Sequence, residues 1–368
     1  MSDEFDEGSR VADRVFDTIV VGGGQTGLTV GYYLAKTGRT FLILDASERV
    51  GDAWRHRWDS LVLFTPSKFS GLPGMNFPAA GDHWVTKDEA ADFVEKYASE
   101  MGLPVLSGTR VQRLSRSDGL FRAETSSAGY HARNVVVAMA DHQRPRVPPF
   151  AADLDPSITQ VHSMEYRNPG SLQEGPALVV GLGNSGAEIG LELARDRETF
   201  IAGEPSAVIP FRIETWFGRK IGVHLVRFMA TKVLTTSTPI GRKARPKLMQ
   251  RAAPVVRVKP KDLLAAGAQR VPRVTGVSGG RPELADGRVL DVANVVWCTG
   301  YQPGFDWINL PIFDEWGRPR HARGIVEDVP GLYFCGLHFQ HALWSETFPG
   351  MPPDARYVVE HLDTWDVA

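Results

Sequence analysis

The 368-residue chain has few cysteines, no surplus of charge and no long apolar run. Its two cysteines, Cys298 and Cys335, lie far apart within apolar runs, which predicts buried free thiols. The net charge of −2 gives the molecule no bulk attraction for nucleic acid or for an anionic membrane. No apolar run approaches the roughly 20 residues that a membrane-spanning helix needs.

The first residues, MSDEFDEGSR, are acidic and lack the apolar core of a signal peptide. We expect residues 1–14 to form a disordered acidic N-terminus before the first strand. Together with the free thiols, the lack of a signal peptide predicts a cytoplasmic protein.

The sequence VGGGQTG contains a glycine-rich turn, with Gly22, Gly24 and Gly27. An apolar run, FDTIVV, precedes it as a buried strand, and TGLTVGYYLAKTG follows with helical spacing. A second apolar strand then ends at Asp45. Such a turn binds pyrophosphate, because the glycines let the backbone approach it and the helix N-terminus supplies amide donors. We expect Asp45 to accept hydrogen bonds from ribose hydroxyls.

The same order of elements occurs again later in the chain. The sequence PALVVGLGNSG supplies a strand and a second turn with Gly181, Gly183 and Gly186, AEIGLELARD supplies the helix, and ETFIAGE supplies the next strand. A glycine pattern alone is weak evidence, but here each copy has the required strand before it and helix after it. The pair predicts two dinucleotide sites. FAD and a nicotinamide dinucleotide are the expected pair of cofactors, because hydride can pass from the nicotinamide to the flavin.

Glu204 holds in the second unit the position that Asp45 holds in the first, since each acid lies 23 residues after the first glycine of its turn. A carboxylate there accepts a hydrogen bond from a free 2′-hydroxyl and repels a 2′-phosphate. This favours NADH, or use of both NADH and NADPH. In an alternative, Glu204 points into solvent and Arg195, Arg197 or Arg212 holds the phosphate of NADPH.

The prolines of DHQRPRVPPF follow a strand-like run, VVVAMA, and predict a crossing between domains. The sequence ANVVWCTGYQPGF, near residue 300, predicts the return crossing. The simplest architecture that accounts for both units and both crossings is an α/β fold of two doubly wound, Rossmann-like dinucleotide-binding domains, the second inserted into the first. We expect an FAD-binding domain of residues 15–144 and 300–368 and an NAD(P)H-binding domain of residues 145–299.

Four motifs follow one another in a specific order along the chain. They are the first glycine turn, VHSMEYRNP with His162, the second glycine turn, and WCTGYQP with Thr299 and Gly300. In this combination the chain resembles the flavin-containing monooxygenases (class B flavoprotein monooxygenases), and most of all their short bacterial and plant YUCCA-type members. The stretches GDAWRHRWDSLVLFTPSKFSGLPG and GLYFCGLHF extend the resemblance over nearly the whole chain after the acidic N-terminus.

The resemblance implies an FAD-containing, NAD(P)H-dependent monooxygenase. It would oxygenate a small organic substrate, either a soft sulfur or nitrogen nucleophile or a 2-oxo acid, through a C4a-(hydro)peroxyflavin. The aromatic content of the stretches that would line the pocket suggests an apolar substrate beside O2. The alternative is a flavoprotein reductase that passes electrons to a small acceptor or carrier. A dithiol mechanism is excluded there, since the chain has no CxxC. A third interpretation is a flavin-bound redox sensor without enzymatic activity.

The resemblance also implies roles for single residues, each with a structural alternative. Trp54 would lie against the flavin or be a core side chain, Thr65 would donate at the flavin edge or cap a turn, and His162 would touch the nicotinamide cofactor or fix the linker. Thr65 and His162 are therefore the candidate catalytic residues. The candidate cofactor-binding residues are Gly22, Gly24, Gln25, Thr26, Gly27, Asp45, Ala46, Trp54, Arg55, Val111, Ala138, Gly181, Gly183, Asn184, Ser185, Gly186, Glu204, Thr299 and Gly300.

The chain departs from the family pattern at several positions. Ala138, Met139 and Ala140 stand where the first linker usually reads Ala-Thr-Gly. Tyr166 stands where Baeyer–Villiger members carry Trp, which disfavours ketone oxygenation. Thr65 stands where many members place Asn beside the flavin, so a hydroxyl replaces an amide. These departures concern oxygen activation more than the fold.

Residues 219–261, the basic segment, contain twelve Lys and Arg and no Asp or Glu. Apolar residues at helical spacing over 221–234 predict a basic amphipathic helix. It would be a lid or an ordinary surface, with contact to a membrane or an acidic partner as the less favoured alternative. No nucleic-acid partner is expected, because only Phe228 interleaves with the charges. No metal site is expected, since His338 and His341 lack an acidic or cysteine partner at ligand spacing. Oligomeric state has no signal in the sequence.

Overall fold

The computed structural model describes residues 14–249 and 253–365, so the predicted acidic N-terminus lies, apart from Arg14, outside the described residues. The helices in these ranges are α1 Gln25–Ala35, α2 Asp52–Arg55, α3 Lys87–Glu100, α4 Asn184–Ala194, α5 Val223–Phe228, α6 Pro239–Leu248, α7 Pro260–Ala265 and α8 Met351–Trp365. The strands are β1 Val15–Val21, β2 Phe41–Leu44, β3 Val62–Pro66, β4 Trp84–Thr86, β5 Val105–Leu106, β6 Arg113–Ser117, β7 Leu120–Glu124, β8 Gly129–Val137, β9 Arg144–Pro145, β10 Thr159–His162, β11 Ala177–Val180, β12 Thr199–Ala202, β13 Gln269–Val271, β14 Val274–Ser278, β15 Arg281–Leu284, β16 Asn294–Trp297, β17 Tyr301–Gln302 and β18 Leu332–Phe334.

The first glycine turn belongs to a seven-stranded sheet in the order β5, β2, β1, β8, β7 and β6, with β18 also paired to β8. Strands β5, β2, β1, β8 and β18 run parallel, whereas β6 and β7 form an antiparallel hairpin at the edge. The carboxyl-terminal ends of β1 and β8, residues 19–21 and 135–137, are apolar and buried, because both faces of the sheet are covered there. Helices α1, α3 and α8 pack on one face, and residues 305–337 pack on the other.

The second glycine turn belongs to a separate sheet of five parallel strands, in the order β10, β16, β11, β12 and β13. The chain leaves the first sheet after β8, builds the second sheet and returns to the first as β18. The two crossing segments pair with each other through the short antiparallel strands β9 and β17. The predicted fold of two doubly wound units, one inserted into the other, is confirmed. The predicted domain boundaries fall within the crossing segments and stay predictions.

Helix α1 lies close against β1 because glycines occupy its inner face. A Cβ on Gly27 would lie 1.8 Å from the Gly22 carbonyl oxygen, and one on Gly31 would lie 2.8 Å from a side-chain carbon of β2. Helix α8 packs beside α1, where Thr26 Oγ1 lies 3.3 Å from Met351 Sδ. The loop before α8 is therefore held near the first glycine turn.

The predicted amphipathic helix is present as α5, continued by wider helical turns at both ends over residues 218–233. Asp82 links this helical segment to the first sheet's domain, since its two carboxylate oxygens each lie 2.9 Å from a lysine Nζ, on Lys68 and Lys220. Large apolar side chains are exposed on and beside the segment, namely Trp216, Phe217, Ile221, Leu225, Phe228 and Met229. None of the helices in the described ranges has the length and apolar character that crossing a bilayer requires.

Candidate active site

A pocket of about 1090 Å³ is lined by several residues of the first glycine turn and by one residue of the second, Ser185. Its volume lies just above the range of roughly 300–1,000 Å³ that is usual for ligand sites. The predicted site residues that line it are Gly22, Gly24, Gln25, Thr26, Asp45, Ala46, Trp54, Thr65, Val111, Ala138 and Ser185. The predicted residues that do not line it are Gly27, Arg55, His162, Gly181, Gly183, Asn184, Gly186, Glu204, Thr299 and Gly300.

The first turn opens onto this pocket. A Cβ on Gly24 would meet no atom within 4 Å, so the backbone there faces free space. Gly22 has a φ of 108°, and a Cβ on it would lie 3.0 Å from the Ala138 carbonyl oxygen. Helix α1 begins directly after Gly24 without a side-chain cap, so its first amide groups remain available to an anionic ligand. The turn has the form of a phosphate cradle.

Asp45 lies at the carboxyl end of β2, beside this cradle. Its carboxylate lies against Gly23, where an added Cβ would be 2.9 Å from Oδ2, and Oδ1 accepts the Ser47 backbone N–H at 3.4 Å. Burial raises the pKa of the Asp45 carboxyl, and hydrogen bonds from neighbouring backbone amides partly offset that shift. The carboxylate can accept hydrogen bonds from a sugar placed at this edge of the pocket.

Two aromatic rings form a flat wall further along the pocket. Trp54 and Phe348 are stacked, with ring centroids 5.9 Å apart and an interplanar angle of 23°. The Trp54 Nε1 donates to Gln25 Oε1 at 3.1 Å, which fixes the indole beside the first turn. The neighbouring Arg55 turns away from the pocket and donates to Glu95 Oε2 at 2.7 Å, so it joins α2 to α3.

Thr65 separates the large pocket from a small apolar cavity. The side chain is buried, and its Oγ1 lies 3.2 Å from Ser70 Oγ. Helix α5 forms one wall of the small cavity, so the helical segment 218–233 covers it. The residues that line the small cavity are Phe64, Thr65, Pro66, Phe69, Ile209, Ile213, Val223, Val226, Val256 and Trp344.

The second turn has the same build as the first. A Cβ on Gly186 would lie 1.9 Å from the Gly181 carbonyl oxygen, so α4 packs against its turn as α1 does. Helix α4 also lacks a side-chain cap. Asn184 does not face the pocket, because its Oδ1 accepts the Val256 backbone N–H at 2.9 Å. Ser185 brings the start of α4 to the pocket wall.

Glu204 follows β12 and is paired with a residue that sequence reasoning missed. Its Oε1 lies 2.6 Å from Arg270 Nη2, and the Glu204 side chain is 79% exposed. Arg270 belongs to β13, the neighbour of β12 in the second sheet. Of the alternative arginines, Arg197 donates to backbone carbonyls and Arg212 pairs with a carboxylate in α7.

His162 is buried at the end of β10 and holds the crossing segments together. Its Nδ1 accepts the Met164 backbone N–H at 3.2 Å, so the proton resides on Nε2, which donates to the Gly300 carbonyl at 3.0 Å. Burial lowers the pKa of His162, which favours this neutral tautomer. Thr299 donates to the Arg146 carbonyl and joins the same two segments. This geometry suits a residue that fixes the linker.

Sequence reasoning also missed a cluster of ionisable side chains at one end of the pocket, formed by Asp141, His142, His338 and Glu346. His338 Nδ1 lies 3.0 Å from Glu346 Oε1, so His338 has the acidic partner that the sequence pattern did not reveal. Burial alone would lower the pKa of His338, but Glu346 and Asp141 raise it to about 9. The pairing of His338 with Glu346 has only a weak signal in the sequence, because the two residues lie eight positions apart and the folded loop between them brings their side chains together.

The residues present fit two dinucleotides. The open backbone at Gly24, the uncapped α1 and Asp45 suit the pyrophosphate and ribose of FAD, and the wall of Trp54 and Phe348 suits a planar ring system. The uncapped α4 and Ser185 suit a second pyrophosphate that reaches the same pocket.

Comparisons with known proteins agree with this geometry. The pyridine nucleotide-disulphide oxidoreductase family matches residues 19–203. A CzcO-like oxidoreductase of Geobacillus kaustophilus is 38% identical over 95% of this chain and 99% of its own length. A protein of Arabidopsis thaliana described as the probable indole-3-pyruvate monooxygenase YUCCA3 is 28% identical over 90% of this chain and 85% of its own length.

Solved structures give the same result. A flavin-containing monooxygenase from Stenotrophomonas maltophilia superposes with a TM-score of 0.77 at 27% identity, and the match covers 96% of this chain and 99% of that one. The bacillithiol disulfide reductase of Staphylococcus aureus shares the fold, with a TM-score of 0.71 at 14% identity over 96% and 99% of the two chains. The chain therefore belongs to the pyridine nucleotide-disulphide oxidoreductases and, among them, to the flavin-containing monooxygenase family of enzymes.

Proposed function

We propose that this protein is an FAD-containing, NAD(P)H-dependent monooxygenase that transfers one oxygen atom of O2 to a small apolar organic substrate. One observation carries the proposal: a single pocket runs from the start of α1 to Ser185 at the start of α4. Two dinucleotides seated on the two turns would then meet inside one cavity. The flavin, when bound, supplies the redox chemistry, and the protein supplies binding, orientation and exclusion of water.

The proposed binding roles follow from the contacts. The first turn and Asp45 hold the adenosine half of FAD, and Trp54 with Phe348 confines the planar ring. The Thr65 hydroxyl then stands at the far end of the pocket, buried and hydrogen-bonded to Ser70. A buried hydroxyl at this point would donate a hydrogen bond at the edge of a bound flavin, in surroundings that exclude water.

We infer an apolar substrate from the surroundings of Thr65. The small cavity next to it, about 10 Å³, is too small to hold a substrate itself, but its aliphatic and aromatic lining makes the surroundings of Thr65 apolar, and α5 covers it. The plant relative is described as acting on indole-3-pyruvate, a 2-oxo acid with an apolar ring. A 2-oxo acid of that kind is one candidate class for this chain, and a soft sulfur or nitrogen compound is the other.

We propose that NADH serves at least as well as NADPH. The proposal places Glu204 beside the ribose 2′-position, because it lies 23 residues after the first glycine of the second turn, and a carboxylate there would accept a hydroxyl but repel a phosphate. Arg270 neutralises part of this repulsion, because its guanidinium lies 2.6 Å from the carboxylate. The pairing supports use of both nucleotides rather than exclusion of NADPH.

The competing function is a reductase that passes electrons to a small acceptor. The thiols argue against a dithiol form of it. Cys335 is completely buried, and burial raises the pKa of Cys298 to about 12, so neither thiol is a ready nucleophile. A reductase with a non-dithiol acceptor remains the second outcome of the test.

The test follows nucleotide consumption and oxygen together. FAD-loaded protein is mixed with NADH or NADPH, first without oxygen and then in air, and the flavin absorbance, O2 uptake and hydrogen peroxide are recorded. A monooxygenase consumes O2 and, with indole-3-pyruvate or a thioether, releases less peroxide and forms an oxygenated product. Reduction by nucleotide with no oxygenated product across both substrate classes would favour the reductase. No reduction by either nucleotide would reject both.

A further inference from the structure

A group of metal-ligand side chains lies beside the pocket, outside the machinery described so far. Asp141 and His142 follow β8 just after the linker Ala138 to Ala140, and Glu346 lies in the loop before α8. His142 Nδ1 is 3.6 Å from an Asp141 carboxylate oxygen and 3.8 Å from Glu346 Oε2. One ligand atom from each residue falls within 4.8 Å of the other two. Two separate loops therefore converge on one point.

One oxygen of each carboxylate at this point lacks a hydrogen-bond partner within the described residues. Asp141 Oδ1 and Glu346 Oε2 are both inaccessible to solvent, and neither accepts a hydrogen bond within the described residues. A buried carboxylate oxygen without a partner is costly, so such atoms normally face a cation or an N–H donor. His142 is too distant from both oxygens for a normal hydrogen bond, which needs about 2.7–3.2 Å. The group therefore has two carboxylate oxygens that accept no hydrogen bond, with space between them.

The spacing suits a small cation better than it suits direct hydrogen bonds. Zinc binds nitrogen and oxygen ligands at about 2.0–2.2 Å, which sets two ligands of a tetrahedral ion about 3.4 Å apart. The two separations from His142, 3.6 and 3.8 Å, need a slight closure around such an ion, and the two carboxylate oxygens, which lie within 4.8 Å of each other, would also have to approach it. An imidazole with two carboxylates selects first-row transition metals over calcium or magnesium, which prefer oxygen alone.

An outer layer holds the ligand atoms in place. His338 Nδ1 donates to Glu346 Oε1 at 3.0 Å, which leaves Oε2 directed to the cluster. The Tyr301 ring meets the His142 imidazole edge-on, with centroids 5.1 Å apart. Supports of this type orient the ligands of metal sites. His142 and Glu346 also line the large pocket, so one side of the cluster stays open to a water or another small ligand.

We propose that Asp141, His142 and Glu346 bind a divalent transition-metal ion of the zinc type, with His338 as the residue that positions Glu346. The ion would tie the linker after β8 to the loop before α8. This site differs from the dinucleotide sites, and it stands or falls independently of the monooxygenase proposal.

The experiment uses the FAD-loaded protein after treatment with a chelator and dialysis. Titration with ZnCl2 in a calorimeter, with metal content measured after gel filtration, is expected to show one Zn²⁺ per chain. The isosteric variants Asp141→Asn and Glu346→Gln, and His142→Asn, should each weaken binding by about tenfold or more. An unchanged far-UV circular dichroism spectrum and melting temperature show that each variant has kept its fold.

The matched control is His83→Asn, which removes a surface imidazole 2.9 Å from Glu89 Oε2 and far along the chain from the cluster. We expect it to bind Zn²⁺ like the parent protein. Absence of stoichiometric binding in the parent would overturn the proposal and would leave a shared proton as the cation of the cluster. Equal loss of binding in His83→Asn, or no loss in the three ligand variants, would overturn it as well.

Discussion

Among the described residues, Thr65 is the one hydroxyl that the large pocket and the small apolar cavity share. We expect Thr65→Val, which keeps the shape and removes the hydroxyl, to raise hydrogen peroxide release several-fold per nucleotide consumed. The rate of anaerobic flavin reduction should change little, because the hydroxyl acts on oxygen chemistry rather than on hydride transfer. Stopped-flow absorbance and a peroxide assay measure the two rates. Ser70→Ala is the control, since it removes the partner of Thr65 and leaves its hydroxyl. If Thr65→Val releases hydrogen peroxide at the rate of the parent, Thr65 has no role in the oxygen chemistry.

His321 is a partly buried histidine, and we expect its protonation to affect the free energy of unfolding. Its Nδ1 accepts the Gly324 backbone N–H at 3.0 Å, and burial together with the Arg245 charge lowers the pKa of His321 to about 4. The unfolded chain binds a proton near pH 6.5, whereas the folded chain resists it. Stability is therefore complete above pH 6.5 and falls as the pH drops toward 4, by on the order of 1–2 kcal/mol at pH 5.

The variant His321→Asn keeps an acceptor for Gly324 and cannot take up the proton. We expect its urea-unfolding free energy to fall less between pH 7.5 and pH 5 than that of the parent. A parallel fall in the two proteins would show that His321 does not contribute to the acid sensitivity.

Single residues also show where sequence-based prediction reaches its limit. The position of Asp45 at the mouth of the pocket was predictable, because the glycine turn and the following strand fix it locally. The directions of Arg55 and His162 were not predictable. Arg55 turns to Glu95 on α3, and His162 turns to Gly300 on the return crossing. Both partners are distant in sequence, and only the tertiary fold brings them close.

Strands β12 and β13 place Glu204 and Arg270 side by side, and this pair is expected to set the nucleotide preference. Glu204→Arg removes the carboxylate and adds a second cation, so preference should move toward NADPH by about tenfold or more. Anaerobic flavin reduction measured against the concentration of each nucleotide gives the ratio.

Binding provides a second measure that does not require turnover. Affinities for 2′,5′-ADP and for ADP, measured by calorimetry, should move in the same direction as the kinetic preference. Glu198→Arg, at the other end of β12, is the matched control. If neither ratio moves in Glu204→Arg, Glu204 does not face the ribose.

The helical segment 218–233 is held by ion pairs that can be tested apart from chemistry. Hydrogen bonds from Lys68 and Lys220 lower the pKa of Asp82 to about 2, so this carboxylate stays charged across the physiological range. We expect Asp82→Asn to speed tryptic cleavage within the segment several-fold, because the neutral side chain releases both lysines. Added salt should speed cleavage of the parent toward the rate of the variant. The control Asp328→Asn removes the partner of Arg320 at another surface pair. A cleavage rate like that of the parent would mean that Asp82 does not restrain the segment.

At the scale of the whole molecule, the two-sheet architecture follows from local signals that occur twice. Each sheet begins with a strand, a glycine turn and a helix, and the proline-rich crossing marks the passage between them. The cluster of Asp141, His142 and Glu346 carries no such signal. It forms only because the linker after β8 and the loop before α8 converge when β18 returns to the first sheet. A site that forms only when distant segments of the fold meet leaves no pattern in the sequence. A site built within one strand, glycine turn and helix does leave such a pattern.

FAD bound at the first glycine turn is expected to stabilise the domain that contains the first sheet. FAD packed between α1, Trp54 and Phe348 would bind the folded chain and not the unfolded one, so it should raise the melting temperature in proportion to the logarithm of its concentration. We expect Asp45→Ala to lower FAD content after gel filtration and to shift this melting curve to higher FAD concentration by about tenfold, which corresponds to one lost charge-assisted hydrogen bond of roughly 1.4 kcal/mol. Glu100→Ala, which removes an exposed carboxyl at the end of α3, should leave the curve in place. Differential scanning fluorimetry across FAD concentrations checks both variants. Coincident curves for Asp45→Ala and the parent would show that this carboxylate does not contact the cofactor, because a ribose contact cannot be lost without a change in the linkage between binding and folding.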